Sequence, residues 1–178
     1  MTRPRIEDRM RYVFFDVVGF TRISPVDDQM DVIQAFNHVV RNVIRAVVRD
    51  EGLVRYLPTG DGMCIALKPG GAVDLHLKLA EALLLLAHCD ATLRDVQLTV
   101  GVGEGADFSF ADINGQENFA GPAINATARA MGGARPNEIL ITEAVYESLK
   151  YYSSYYGKLV PVIREVKGVS WKFYRKSE

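Results

Sequence analysis

Apolar residues run almost unbroken through Arg11-Tyr-Val-Phe-Phe-Asp-Val-Val-Gly-Phe-Thr21, a β-branched and aromatic stretch with a single carboxylate, Asp16, inside it. Such a run predicts a buried strand, with Gly19 letting the chain turn just beyond it. A second apolar segment, Leu53 to Leu67, divides into two strand-like halves around Thr59-Gly60-Asp61-Gly62, the composition of a tight hairpin with Asp61 at its tip. Between the two segments the period lengthens: Ile33, Phe36, Val40, Val43, Ile44 and Val47 recur at helical spacing and form one apolar stripe suited to packing on a sheet.

Continued along the chain, the pattern predicts a strand over 11–18, a helix over 27–50, a hairpin over 53–67 and a helix over 71–89. Strands follow over 96–104 and 107–113, then a helix over 121–133, a strand over 138–142, a short helix ending near 149, and terminal strands within 159–175. The order describes an α+β fold, an antiparallel-rich sheet packed with helices. Residues 1–10 are polar and charged and predict an N-terminal tail, leaving one domain over 11–178 without internal repeats or a low-complexity linker.

Composition narrows the function classes. With 21 basic against 22 acidic residues in 178, net charge −1, neither general nucleic-acid binding nor a polybasic membrane anchor is expected. The longest apolar stretch, Leu79 to Cys89, contains Glu81 and is shorter than the ~20 residues that span a bilayer. The charged opening Thr2-Arg-Pro-Arg-Ile-Glu-Asp-Arg-Met10 has no signal-peptide pattern, so a cytoplasmic location and no membrane contact are expected. Cys64 and Cys89 lie outside any metal-ligand spacing and are expected as reduced core thiols; His38, His76 and His88 fall on predicted helices, away from the aspartates.

Asp16 and Asp61, 45 residues apart, each end an apolar strand beside a glycine turn. If the strands lie side by side, the two carboxylates suit a hard divalent cation, which takes oxygen ligands and is completed by water and substrate phosphates. Asp next to Gly is equally ordinary turn chemistry, so spacing alone leaves both readings open.

Further along stand Val100-Gly-Val-Gly-Glu-Gly105, Asn118-Phe-Ala-Gly-Pro-Ala-Ile-Asn-Ala-Thr-Ala-Arg129, Asn137-Glu-Ile-Leu-Ile-Thr142 and Val166-Lys-Gly168. With FFDVVGFT and PTGDGM these resemble, in order, the motifs of the class III nucleotidyl cyclases: F-x-D-x-x-G-F-T, the G-D-G hairpin, the G-x-x-x-G strand end, N-x-x-x-R, and the late strand and lysine-glycine turn. The resemblance spans about residues 11 to 175 and implies a ferredoxin-like core, β-α-β-β-α-β. It implies a cyclase holding two divalent ions, Mg²⁺ or Mn²⁺, on Asp16 and Asp61 with the Val17 carbonyl as an extra ligand. The backbone amides of Val18, Gly19, Phe20 and Thr21 would receive the triphosphate, with Lys167 reaching it from the late turn. Arg129 would stabilise charge on the α-phosphate, and Asn125, one helical turn earlier, would orient the ribose.

The chain departs from the family where the base is read. Adenylate cyclases of this kind carry a lysine three residues before the Gly-Asp of the hairpin and an aspartate or hydroxyl residue shortly before N-x-x-x-R, and guanylate cyclases carry glutamate and cysteine there; here the positions hold Leu57 and Asn118. In this respect the chain resembles the pyrimidine cyclases of the bacterial Pycsar antiphage system, which make cyclic UMP or cyclic CMP for a separate effector protein. That resemblance implies UTP or CTP as substrate, with uracil preferred, Leu57 narrowing the pocket, Arg55 adding a polar contact from the same strand face, and Asn118 reading either pyrimidine edge. A purine cyclase with unusual base recognition and a silent dimerising domain remain as alternatives. Because class III enzymes draw the metal aspartates and the Asn/Arg pair of one site from different subunits, a homodimer is implied, and Tyr151-Tyr-Ser-Ser-Tyr-Tyr156 is a candidate for its interface.

Overall fold

A computed structural model describes residues 5–23 and 25–177. The elements are β1 (Arg5–Val17), α1 (Val26–Val47), β2 (Val54–Pro58), β3 (Met63–Leu67), α2 (Leu75–Cys89), β4 (Leu98–Ala111), β5 (Glu117–Ala120), α3 (Pro122–Gly133), β6 (Glu138–Ile141), α4 (Glu143–Leu149), β7 (Leu159–Val166) and β8 (Val169–Lys176). The sheet runs β2-β3-β1-β4-β6-β8-β7, with β5 pairing the outer part of β4; only β4 and β6 are parallel. Its first four strands have the antiparallel order of a ferredoxin-like core, as the sequence implied.

The unbroken apolar run of β1 is explained by two covered faces. Val13, Phe15 and Val17 point into the main core with Phe36, Val40 and Val43 of α1 and Leu79 and Leu83 of α2; Phe15 and Phe36 meet with ring centroids 5.6 Å apart. Met10, Tyr12 and Phe14 point to the opposite face, into a smaller cluster with Cys64, Phe119 and Ala123 under α3. The α1 stripe turns slightly from the expected one, burying Val32 and Val39 and leaving Ile33 partly exposed.

Several boundaries differ from the sequence expectation. Residues 5–10, expected as tail, extend β1 and pair with β4 (Arg5 with Ser109, Ile6 with Phe108), while residues 1–4 lie outside the described residues. The two strands expected over 96–104 and 107–113 are one strand, whose register with β1 shifts where Gly105 takes φ 152°. The missing strand is β5, too short and polar for periodicity to mark. Cys89 is exposed, while Cys64 is buried as expected. No helix among the described residues is long and apolar enough to cross a membrane.

Candidate active site

β1 and β3 pair so that Phe15 faces Met63, which brings Asp16, one residue on, against the turn that carries Asp61. Gly62 makes the approach possible: a Cβ there would meet the Phe15 carbonyl and lie 2.7 Å from Asp16 Oδ1. Burial first, and then the charge of Asp61, hold the Asp16 carboxyl above the usual carboxylate range, against the opposing pull of the Val17 amide. Neither carboxylate has a basic partner among the described residues, whose ten ion pairs all lie elsewhere.

Two adjacent, unneutralised carboxylates are a hard-oxygen donor set and fit divalent Mg²⁺ or Mn²⁺. No third His, Cys, Asp or Glu joins them among the described residues, so substrate oxygens and water must fill the remaining positions.

After Val17 the chain turns at Gly19 (φ 70°) into a single 3₁₀ turn, Phe20–Arg22. The Val18 amide donates to the Gln97 carbonyl at 2.9 Å and is therefore taken by the sheet, which removes it from the expected phosphate cradle. The amides of Gly19, Phe20 and Thr21 make no bond among the described residues and remain available to an anion.

The other motif residues stand on α3, which lies directly on β4. Cβ atoms at Gly101 and Gly103 would collide with the Met131 and Thr127 backbone and with the Thr127 hydroxyl, so the glycines of VGVGEG are needed for helix and strand to touch. The start of α3 is fixed by Asp107, which the sequence reading missed: its buried carboxylate accepts from Ala123 N at 3.0 Å and from Ile124 N at 2.8 Å. A charged residue in the otherwise apolar and small Ala106-Asp-Phe-Ser-Phe110, facing a Gly-Pro helix start, was the available signal.

Asn125 and Arg129 share the exposed side of α3, and the Arg129 guanidinium sits 4.8 Å from the centroid of the Trp171 ring on β8. Trp171 was also not anticipated. Lys167 and Gly168 form the two-residue turn joining β7 to β8, both with positive φ (52° and 75°), as a type I′ turn requires. That turn lies beside the end of α3, where a Cβ at Gly132 would be 3.8 Å from Val166.

Leu57 and Asn118 are brought to one neighbourhood. Leu57 packs on the cluster that holds Phe119, and Asn118 is half-buried on β5 next to it. Arg55 is committed elsewhere, contrary to its expected contact with a base: its Nε donates to Glu117 Oε2 at 2.7 Å and its Nη1 to the carbonyls of Gly52 and Val54, both at 2.8 Å. Lys68 Nζ completes the clamp at 2.7 Å from Glu117 Oε1.

The two groups do not meet within the chain. Asp16 pairs across β1 and β4 with Thr99, beyond the point where α3 ends over Gly101, and Arg129 is drawn toward β8, on the other side of β4 from β1. Of the tyrosine cluster, Tyr151, Tyr152 and Tyr156 are exposed, whereas Tyr155 is buried and donates to Asp74 at 2.9 Å.

Solved structures share this architecture. The catalytic core of a rhodopsin-guanylyl cyclase with converted specificity, in complex with ATPαS, superposes with TM-score 0.76 at 19% identity over 100% of both chains. The GTP complex of the guanylate cyclase domain of RhGC from Catenaria anguillulae gives 0.74 at 16% identity, covering 97% of this chain and 98% of that one. The adenylyl cyclase CyaB from P. aeruginosa gives 0.73 at 14%, covering 99% and 97%. No curated protein matches the chain by sequence. The family model of the adenylate and guanylate cyclase catalytic domain matches residues 4–174, nearly the whole chain, and the protein belongs to that family of nucleotidyl cyclases.

Proposed function

We propose that the protein is a pyrimidine nucleotide cyclase, converting UTP, or CTP less well, into the 3′,5′-cyclic monophosphate and pyrophosphate. The observation that carries the base assignment is Leu57, an apolar side chain packed on the Phe119 cluster at the position where purine cyclases place a polar one. Without a hydrogen-bonding partner there, a site that discriminates by polar contacts loses its hold on a purine edge.

In the reaction the ribose 3′-oxygen attacks the α-phosphorus, its proton is lost, and the bond from that phosphorus to the pyrophosphate oxygen breaks. Asp16 and Asp61, with the Val17 carbonyl, would hold two divalent ions, which when bound neutralise the triphosphate and lower the pKa of the attacking hydroxyl. The free amides of Gly19, Phe20 and Thr21 receive the terminal phosphates, and Lys167 of the β7–β8 turn is assigned to them by the family resemblance. Arg129 meets the charge that develops on the α-phosphate oxygens, already oriented by the Trp171 ring, and Asn125 positions the ribose.

Because Arg129 and Asp16 do not converge within one chain, the functional unit is a homodimer in which each site takes its aspartates from one subunit and its Asn125 and Arg129 from the other. The product is then a second messenger for a separate effector, as in the antiphage cyclases that the rewritten base position resembles.

A purine cyclase, acting on ATP or GTP with atypical base recognition, is the second reading, since the structural neighbours include an ATPαS and a GTP complex. The purified protein incubated with each of the four ribonucleoside triphosphates and Mn²⁺, with products identified by mass spectrometry, tests both readings. Cyclic UMP or cyclic CMP that disappears in Asp61→Ala is the expected result; products from GTP or ATP alone would overturn the pyrimidine assignment.

A further inference from the structure

We propose that the cleft between α2 and the α3–β6 connection is a second ligand site, which takes an aliphatic monocarboxylate with its head on Arg135 and Arg175 and its tail along α2. The inference does not depend on the substrate proposed above, because none of these residues belongs to the nucleotide site.

A cavity of about 360 Å³ opens there, within the size range of small-molecule sites. Its apolar wall is made of Leu77 and Leu84 from α2, Ile139 and Ile141 from β6, and Leu159 from β7. Leu77, Ile141 and Leu159 are buried members of the main core, so this wall is a fixed part of the fold.

The charged side chains that line the same cavity are Glu81, Arg135, Glu138, Arg175 and Lys176, and they do not balance. Glu81 is taken by Lys176 Nζ at 2.9 Å. Glu138 accepts from Arg164 Nη2 at 2.9 Å and from the Arg135 backbone amide at 2.8 Å. The guanidinium groups of Arg135 and Arg175 have no ion pair among the described residues. Both carboxylates of the cavity are thus spent, while two planar donor sets of the kind that match a carboxylate are left over. An anion with an apolar body answers both the arginines and the leucine wall; a cation or a neutral hydrocarbon answers at most one of them.

A neighbouring cavity gives the apolar body its direction. It measures about 280 Å³ and shares Leu84 and Asn137 with the first. It continues along α2 past Leu85 and Ala87, with Val96, Leu98 and the exposed His88 among its other walls. Leu85 is 64% exposed, an uncovered apolar side chain beside the path of the tail. The wall common to the two cavities is held in place: the Asn137 amide donates to the Leu98 carbonyl, and Asn137 Oδ1 accepts from the Leu98 amide at 3.1 Å. A methylene chain that starts at the arginines therefore has a preformed course over Leu84 toward Leu85.

Isothermal titration calorimetry of the full chain without nucleotide, with sodium octanoate below its micellar range as the probe, tests the site. Octanoate is expected to bind saturably and about tenfold or more tighter than acetate, which has the head alone, and than octylammonium, which has the tail with the opposite charge. Each methylene added between butanoate and octanoate should tighten binding about two- to fourfold. Combining Arg135→Gln with Arg175→Gln should weaken octanoate by about tenfold or more. No saturable binding of octanoate, equal binding of octanoate and octylammonium, or an unchanged octanoate affinity in the double variant would overturn the proposal. If the double variant melts below the wild type, the charge reversal and the chain-length series on the wild-type protein decide alone. Because no triphosphate is present, the outcome is independent of whether and on which base the protein acts.

Discussion

The aspartate half and the arginine half of the site are built in opposite electrostatic states. Asp16 stands beside the turn that carries Asp61 with no basic partner for either among the described residues, and the carboxyl of Asp16 is held above its ordinary range by burial and by that neighbour. Around α3 the charges are already answered: Asp107 of β4 accepts two helix amides, Glu117 of β5 is clamped by Arg55 and Lys68, and Arg129 of α3 rests on Trp171. On the proposed reading, repulsion is concentrated where metal would arrive, and settled contacts where substrate would be oriented. Removing a charge from the first half should therefore help the fold and destroy the activity, whereas removing one from the second should harm both.

The largest effect follows from Asp16→Asn. Turnover is expected to fall on the order of a thousandfold, since the ions lose half of their carboxylate charge. The metal-free variant is nevertheless expected to melt at or above the wild-type temperature. The sign follows from Asp16 itself: its folded-state carboxyl is raised, so the folded chain binds that proton more tightly, and the ionised pair opposes folding at neutral pH. Mn²⁺ should raise the melting temperature of the wild type and leave that of the variant unchanged in a thermal scan. Lower stability in the metal-free variant would break the contrast between the halves.

Arg129→Ala comes next, with an expected loss of about 10²–10³ in kcat and little change in KM, as for removal of one preorganised donor at the developing charge. Steady-state kinetics with the cyclised triphosphate checks it. Trp171→Leu should lower kcat by only about two- to fivefold, the kinetic equivalent of the ~0.5–1 kcal/mol of an exposed cation–π contact.

Stability effects are smaller in fold terms and sharpen the same comparison. Asp107→Ala leaves two buried helix amides without partners and should cost about 2 kcal/mol in denaturant unfolding, with loss of activity following from a displaced α3. His76, fully buried on α2, is a further charge-sensitive point. Its Nε2 lies 3.4 Å from Glu104 Oε2, and burial first, then Arg11, lower its pKa to about 3. A folded-state value below the unfolded one means that stability is full above the unfolded pKa and is lost as pH falls toward the folded one. Between pH ~6.5 and ~5 the histidine alone should remove about 2 kcal/mol, and His76→Phe should flatten that slope in a pH series of unfolding curves.

What the sequence disclosed was local. The apolar run ending at Asp16, the Thr59-Gly60-Asp61-Gly62 hairpin, the α1 stripe and the Lys167-Gly168 turn are each set by a few neighbouring residues, and the structure reproduces them with shifts of a few positions. What it concealed depends on contacts between distant segments. Asp107 is recognisable as the anchor of α3 only once β4 and the helix are superposed, Trp171 only once β8 is beside α3, and the commitment of Arg55 only once β5 folds back to place Glu117 against it. The glycines of β4 were visible as a motif, but their reason, the contact with Thr127 and Met131, is a property of packing. The Val18 amide failed as a phosphate donor for the same reason: periodicity marks a strand end without saying which neighbour will take its last amide.

The claim that joins the two halves is that neither completes a site without the other subunit. Mixing Asp61→Ala with Arg129→Ala, each inactive alone, tests it most directly after the subunits are allowed to exchange. In a random 1:1 mixture half of the dimers carry both variants and each of those has one intact site, so the account predicts recovery of about a quarter of wild-type turnover. No recovery despite demonstrated exchange between the chains would contradict it.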